Sequence, residues 1–261
     1  MIKRSKLMWI FVIVTILSSI VLVLAFQAFP LLGDWDVPTT ITEDYEPLGS
    51  GYFGYFQINP ETLLSSLDEG KTDVFLPELR DMEEVGAPSP AMYNAPIPWR
   101  QADYIMIFNA LNQFVWEDTL EDWSVYEMSF SANCQENFVG FVEGSIVYYK
   151  DTLVNGQKKY TTRHFTIVPE YLSAGWGGGK NFPHPLFIFD WKRIDIDDIK
   201  IRAEDALKTA EDNGGRDARV KINNKCYISV WMLPTNWRGW WVRIGNNFEV
   251  YIDSFTGEII E

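Results

Sequence analysis

The chain has 261 residues, 47% of them apolar and eleven of them Trp, which excludes a disordered tail. Acidic residues outnumber basic ones by 36 to 22, and the net charge of −14 argues against nucleic acid and anionic lipid headgroups as partners. Only two cysteines and two histidines are present, which leaves little material for a metal centre.

The first predicted element is the uncharged, mostly apolar run from Met8 to Phe26, preceded by Lys3, Arg4 and Lys6. At about 1.5 Å per residue it spans a hydrocarbon core of roughly 30 Å. The positive flank belongs in the cytoplasm and everything after Gln27 outside it. The run is longer than a signal-peptide core, so residues 1–28 read as a signal anchor, a single-pass contact with the membrane through residues 8–26. Cleavage after Val23-Leu24-Ala25 would instead secrete the same domain. Without the three flanking cations, the exported part keeps 19 basic against 36 acidic residues, a net charge near −17. It can attract basic partners, or it is simply a solvated acidic surface.

Residues 29–98 read as a tether and N-terminal wrapping region. Pro30, Gly33, Pro38, Pro47 and Gly49 keep the first part irregular. Tyr52 to Ile58 is strand-like, and Asn59-Pro60 opens a short helix through Leu67, with Asn59 as N-cap. Asp73 to Leu76 returns as a strand, and Pro88, Pro90, Pro96 and Pro98 make a second linker.

Residues 99–193 form a first α+β unit. Its helix runs from Trp99 to Trp116, with Tyr104, Ile107, Phe108, Leu111, Phe114 and Val115 on one face of a 3.6-residue period. Strands are expected at Trp123–Phe130, Phe138–Tyr149 and Tyr160–Val168, the last two joined by an Asn155-Gly156 hairpin turn. Gly175-Trp176-Gly177-Gly178-Gly179-Lys180-Asn181 is not a phosphate loop, because Ala174 and Asn181 break the motif and Pro183 forbids the helix that must follow. It reads as a flexible connection or a mobile binding loop.

Residues 194–261 form a second α+β unit. Ile199, Ala203, Ala206, Leu207 and Ala210 make a helical stripe capped by Asp197 or Asp198, and Asn213-Gly214-Gly215 stops it. Strands follow at Lys225–Leu233, Gly239–Ile244 and Phe248–Asp253. Cys226, Ile228, Val230, Val242, Ile244, Phe248, Val250 and Ile252 share one parity and form the face a helix would cover. The opposite parity carries Tyr227, Trp231, Trp241, Arg243 and Tyr251, with Trp237 and Trp240 around the turn. A solvated face is normally polar, so this one either packs on the first unit or meets a partner, since Trp, Tyr and Arg concentrate in interface hot spots. Cys134 and Cys226 either form a disulfide linking the two units or stand as two buried small residues.

The second unit resembles a PepSY-type domain. The resemblance rests on the helix Ala203-Glu204-Asp205-Ala206-Leu207 with its Gly214-Gly215 stop, and on the ending Val250-Tyr251-Ile252-Asp253-Ser254-Phe255-Thr256-Gly257-Glu258-Ile259. The latter is similar to the family's closing Asp-x-x-Thr-Gly-Glu strand and turn. It implies a cystatin-like fold, an extracytoplasmic location and a non-catalytic role beside peptidases or membrane proteins. Read on its own chemistry, the ending is a structural turn in which Asp253 accepts backbone N–H bonds and Gly257 takes positive φ.

The fold class expected is α+β: an N-terminal transmembrane helix followed by tandem helix-on-antiparallel-sheet units. No HExxH, paired-histidine spacing or GxSxG elbow is present, and His164 and His184 are isolated. Asp190, Asp195, Asp197 and Asp198 could supply a carboxylate pair for a hydrolase, but they suit a helix N-terminus better. The expectation is therefore a binding or regulatory protein without catalysis, cofactor or metal, acting on an envelope protein or a secreted peptidase. A carbohydrate or cell-wall binding module is the alternative.

Overall fold

Residues of alternating polarity dominate this chain from Tyr52 onward, and in the structure they assemble into one antiparallel sheet. The structure is a computed structural model and describes residues 50–71, 73–77, 93–183, 194, 196–232 and 239–260. The elements are β1 (Ser50–Gln57), α1 (Leu63–Asp68), β2 (Leu76–Pro77), α2 (Gln101–Trp116), β3 (Ser124–Asn133), β4 (Glu143–Val154), β5 (Gln157–Val168) and β6 (Ser173–Pro183). They continue with α3 (Ala203–Ala210), α4 (Arg216–Lys221), β7 (Tyr227–Met232), β8 (Gly239–Ile244), β9 (Phe248–Asp253) and β10 (Ile259–Ile260). The fold is α+β, with few helices on one ten-stranded sheet of order β10-β9-β8-β7-β3-β4-β5-β6-β1-β2. No helix among the described residues is long and apolar enough to cross a membrane. The run 8–26 lies outside them.

A helix followed by a meander occurs twice, and the first strands of the two meanders pair with each other. β3 and β7 run antiparallel with Met128 opposite Met232, Phe130 opposite Val230 and Ala132 opposite Ile228. The two halves therefore join edge to edge, each strand series running outward from this seam. Cys134 and Cys226 are disulfide-bonded at its end, Cα to Cα 5.2 Å, and the Cys134 N–H donates to the Cys226 carbonyl at 3.0 Å.

Both helices cover the same side of the sheet. Tyr104, Ile107, Phe108 and Leu111 of α2 are fully buried against Phe130, Ile146 and Phe165, with Tyr104 and Phe130 edge to face at 5.7 Å. Ala203, Ala206, Leu207 and Ala210 of α3 pack over Val230, Val242 and Ile252 of the second half. Trp240 belongs to this core and not to the aromatic patch: it is fully buried, and its Nε1 donates to the Ile201 carbonyl at 2.7 Å. Trp237 lies outside the described residues.

The structure departs from sequence expectation in four further places. The strand, short helix and returning strand expected between Tyr52 and Leu76 are present, but β1 and β2 belong to the main sheet and not to a wrapping region, since β1 pairs along its length with β6 and Phe75 is buried under α2. The glycine-rich run 175–181 is strand β6, not a connection. Its glycines admit rings from neighbouring strands: a Cβ on Gly177 would collide with the His164 ring, and one on Gly175 would sit 3.3 Å from Tyr55. The second helix starts at Ala203 and not near Ile199, so its N-cap position is Arg202 and neither Asp197 nor Asp198 stands there. The Ala203 N–H is instead taken by Oε1 of Gln101 at 2.7 Å. Finally, Asn213-Gly214-Gly215 kinks the helix without ending it. Gly214 has φ +109°, and α4 continues beyond, locked by Arg219 Nε to Glu211 Oε1 at 2.6 Å.

Candidate functional site: the open face of the sheet

With the helices on one side, the strand alternation that buries Val230, Val242 and Ile252 turns Trp231, Trp241 and Tyr251 to the other. No described element packs on that other side. Trp231, Trp241 and Tyr251 are register partners on three successive strands. Trp231 and Trp241 meet edge to face at 4.8 Å, and Trp241 and Tyr251 lie nearly parallel, 9° apart in plane and 6.1 Å between centroids. Tyr227, at 64% exposure, and Tyr251, at 44%, are among the most exposed large rings of the second half. Because the two halves join by their edges, this aromatic face does not pack on the first half.

Arg243 sits in the next row, half-buried. Its guanidinium is turned to the β8–β9 turn, donating to the Gly245 carbonyl at 3.0 Å and to Asn246 Oδ1 at 2.9 Å. Trp241 is only half-buried, but its Nε1 is enclosed and has no acceptor among the described residues. Such an orphaned donor costs about 1–3 kcal/mol.

The same register extends the face across the first half, which sequence reading missed. The row Tyr251–Trp241–Trp231 continues into Ser129, Ser145, Thr166, Gly175 and Tyr55. Ser145 and Thr166 share a hydroxyl hydrogen bond at 3.2 Å. The adjoining row is Arg243, Ser229, Ser131 and Glu143. A strip of small hydroxyl side chains thus runs beside the indoles. A β-bulge between Val125 and Glu127 shifts the register there, leaving Tyr126 and Glu127 both on the open side. That bulge is why parity counted along β3 from Ser131 and Ser129 reaches Glu127 but not Tyr126; Tyr149 and Tyr160 also lie on this side. At the rim, the coil 93–97 and the end of β3 enclose a cleft of about 200 Å³ lined in part by Tyr93, Asn94, Asn133, Gln135 and Glu170.

Two carboxylates on this face stand out electrostatically. Glu127 and Glu143 are half-buried, and burial pushes both carboxyl groups up from their ordinary values. Neither accepts a hydrogen bond nor meets a cation at ion-pair distance among the described residues. His164 stands exposed beside Gly177, and partial desolvation lowers its pKa, so it adds no charge at neutral pH. His184 lies outside the described residues, as do Asp190 and Asp195.

The closing turn is stabilised by Asp253, whose Oδ1 accepts the N–H groups of Phe255 and Thr256, each at 2.8 Å. These bonds hold its carboxyl below the ordinary value, the Thr256 bond most strongly. Gly257 takes φ +76° and donates its N–H to the Asp253 carbonyl at 3.0 Å. No group of three or more His, Cys, Asp and Glu among the described residues could hold a metal ion. Comparison with known proteins finds no matching protein family, no matching curated protein and no matching solved structure.

Proposed function

We propose that the chain is a membrane-anchored, extracytoplasmic protein that binds and regulates another envelope protein or a secreted peptidase, without catalysis, through the open face of its sheet. The carrying observation is the row of Trp231, Trp241 and Tyr251, three large rings on a sheet face that no described element covers. Trp and Tyr supply large contact area at little entropic cost, which is why they dominate binding hot spots. The Cys134–Cys226 disulfide supports an oxidising compartment. The apolar run 8–26 supports the anchor. The two helix-and-meander halves, the second closing in an Asp253-to-Glu258 turn, support the PepSY-type reading, with tandem cystatin-like units sharing one sheet.

Crosslinking in the native envelope tests this. A protein captured by the parent chain should be lost from a Trp231→Ala/Trp241→Ala variant that stays folded, and should bind the purified full-length parent directly. Identical capture by both chains would remove the aromatic face from the binding account. A carbohydrate ligand is the second reading. The near-parallel Trp241 and Tyr251 rings, in one row with Trp231 and the Ser129, Ser145 and Thr166 hydroxyls, favour it. Soluble glycans would then quench Trp fluorescence in the parent and not in the variant.

A further inference from the structure

Placement of the two unpartnered carboxylates adds a chemical requirement to the open face. The register rows Glu127–Val147, Ser129–Ser145 and Ser131–Glu143 set Glu127 and Glu143 two rows apart, one on each side of the serine strip. Four residues along a strand is about 13 Å. One metal ion could not bridge that gap, because carboxylate oxygens bind at about 2.3–2.6 Å. Two separate cations could occupy it. An extended segment with basic residues at positions i and i+4 has the same spacing of about 13 Å.

The surroundings favour such a segment. The floor between the carboxylates is Ser129, Ser131 and Ser145, small side chains that let a chain approach. From the middle of that floor the Trp231–Trp241–Tyr251 row leads off across the strands, starting at Trp231 opposite Ser129, and its ring faces attract cations as well as apolar groups. Of the face's own cations, Arg243 is engaged by its turn. The chain's net charge of −14 would steer a basic partner toward it.

We infer that the open face takes an extended segment of a partner protein carrying two Lys or Arg residues four positions apart, one set against Glu127 and one against Glu143. The inference rests on the docking role proposed above for this face.

The test uses the full-length chain in detergent micelles and two nine-residue peptides of otherwise equal composition. One carries two Lys four positions apart, and the other carries two Glu at the same places. Binding is read by Trp fluorescence. The Lys peptide should bind, more weakly as salt rises, and the Glu peptide should not. Glu127→Gln/Glu143→Gln should weaken binding at least tenfold. Asp205→Asn/Asp217→Asn, which removes equal charge from the helix side, should change it less than twofold. Equal losses in both variants would reduce the effect to bulk attraction and overturn the inference. So would a Lys peptide that fails to bind by about 1 mM, a free energy near −4 kcal/mol, or a face occupied by glycan or a second copy instead. If Trp231→Ala/Trp241→Ala abolishes capture of the envelope partner while Glu127→Gln/Glu143→Gln leaves it intact, the docking face stands and the basic segment falls. If neither variant matters, both readings fall.

Discussion

Glu127 and Glu143 give the open face a pH signature with a definite sign. The folded chain holds each carboxyl above its ordinary value, so ionisation opposes folding. That penalty is fully present above the raised folded pKa and absent once pH falls below the unfolded value. Glu127→Gln and Glu143→Gln should therefore raise the urea midpoint at pH 7 and lose that advantage near pH 4. Greater stability with weaker peptide binding separates a binding carboxylate from a structural one. Asp253 has the opposite sign, since its depressed pKa contributes stability that is lost as pH falls through the folded value. Asp253→Ala should cost about 1 kcal/mol at pH 7, the scale of a capping side chain, and progressively less in acid. Tyr148 is simpler: its hydroxyl is buried without a partner among the described residues, and desolvation raises its pKa. Tyr148→Phe should be neutral or stabilising by up to about 1 kcal/mol, read as a midpoint shift at unchanged denaturant slope.

At the scale of elements, the helix periodicity of Tyr104, Ile107, Phe108 and Leu111 and the parity of β7, β8 and β9 were legible, because 3.6 and 2 are local repeats. Three features were not. Strand β6 is hidden by its glycines, whose composition signals a loop until the rings of Tyr55 and His164 are placed beside them. The kink at Gly214 reads as a stop because a positive φ ends most helices but here serves only to bend one. The start of α3 is hidden because its cap comes from Gln101, 102 residues away in sequence. Glu204 answers from α3, accepting the Gln101 N–H at 3.4 Å, so each helix N-terminus is partly satisfied by the other half. Gln101→Ala should cost about 1–2 kcal/mol, the upper range for a lost N-cap, because the Ala203 N–H is buried. Equilibrium unfolding would check this, and an unchanged midpoint would mean that water replaces the cap.

For the whole molecule, sharing of one sheet was beyond sequence reading, since nothing local announces that β3 pairs with a strand a hundred residues later. The candidate site was half legible for the same reason. Its Trp and Tyr residues on β7, β8 and β9 follow parity, whereas the serine strip and the two glutamates belong to it only through the β3–β7 seam, and Tyr126 only through the bulge. The disulfide closes a loop spanning 92 residues across that seam. Cys134→Ala/Cys226→Ala should lower stability by about 4.6 kcal/mol in the chain-entropy model. Unfolding should remain a single transition, because the halves also share strand pairing, helix caps and core. Two resolved transitions in calorimetry would show instead that the halves are independent domains.

The seam also sets an order of events while the chain is being made. Residues of β3 emerge first, with Met128, Phe130 and Ala132 on an edge whose partner is still unsynthesised. At roughly 5–20 residues per second, β7 follows after about 5–20 s. Through that interval the first half carries an open, apolar strand edge, a template for pairing with any neighbouring nascent chain. The chain therefore needs shielding at one known stage of its production, and a chaperone footprint should fall on residues 124–133 and vanish once Met232 has appeared.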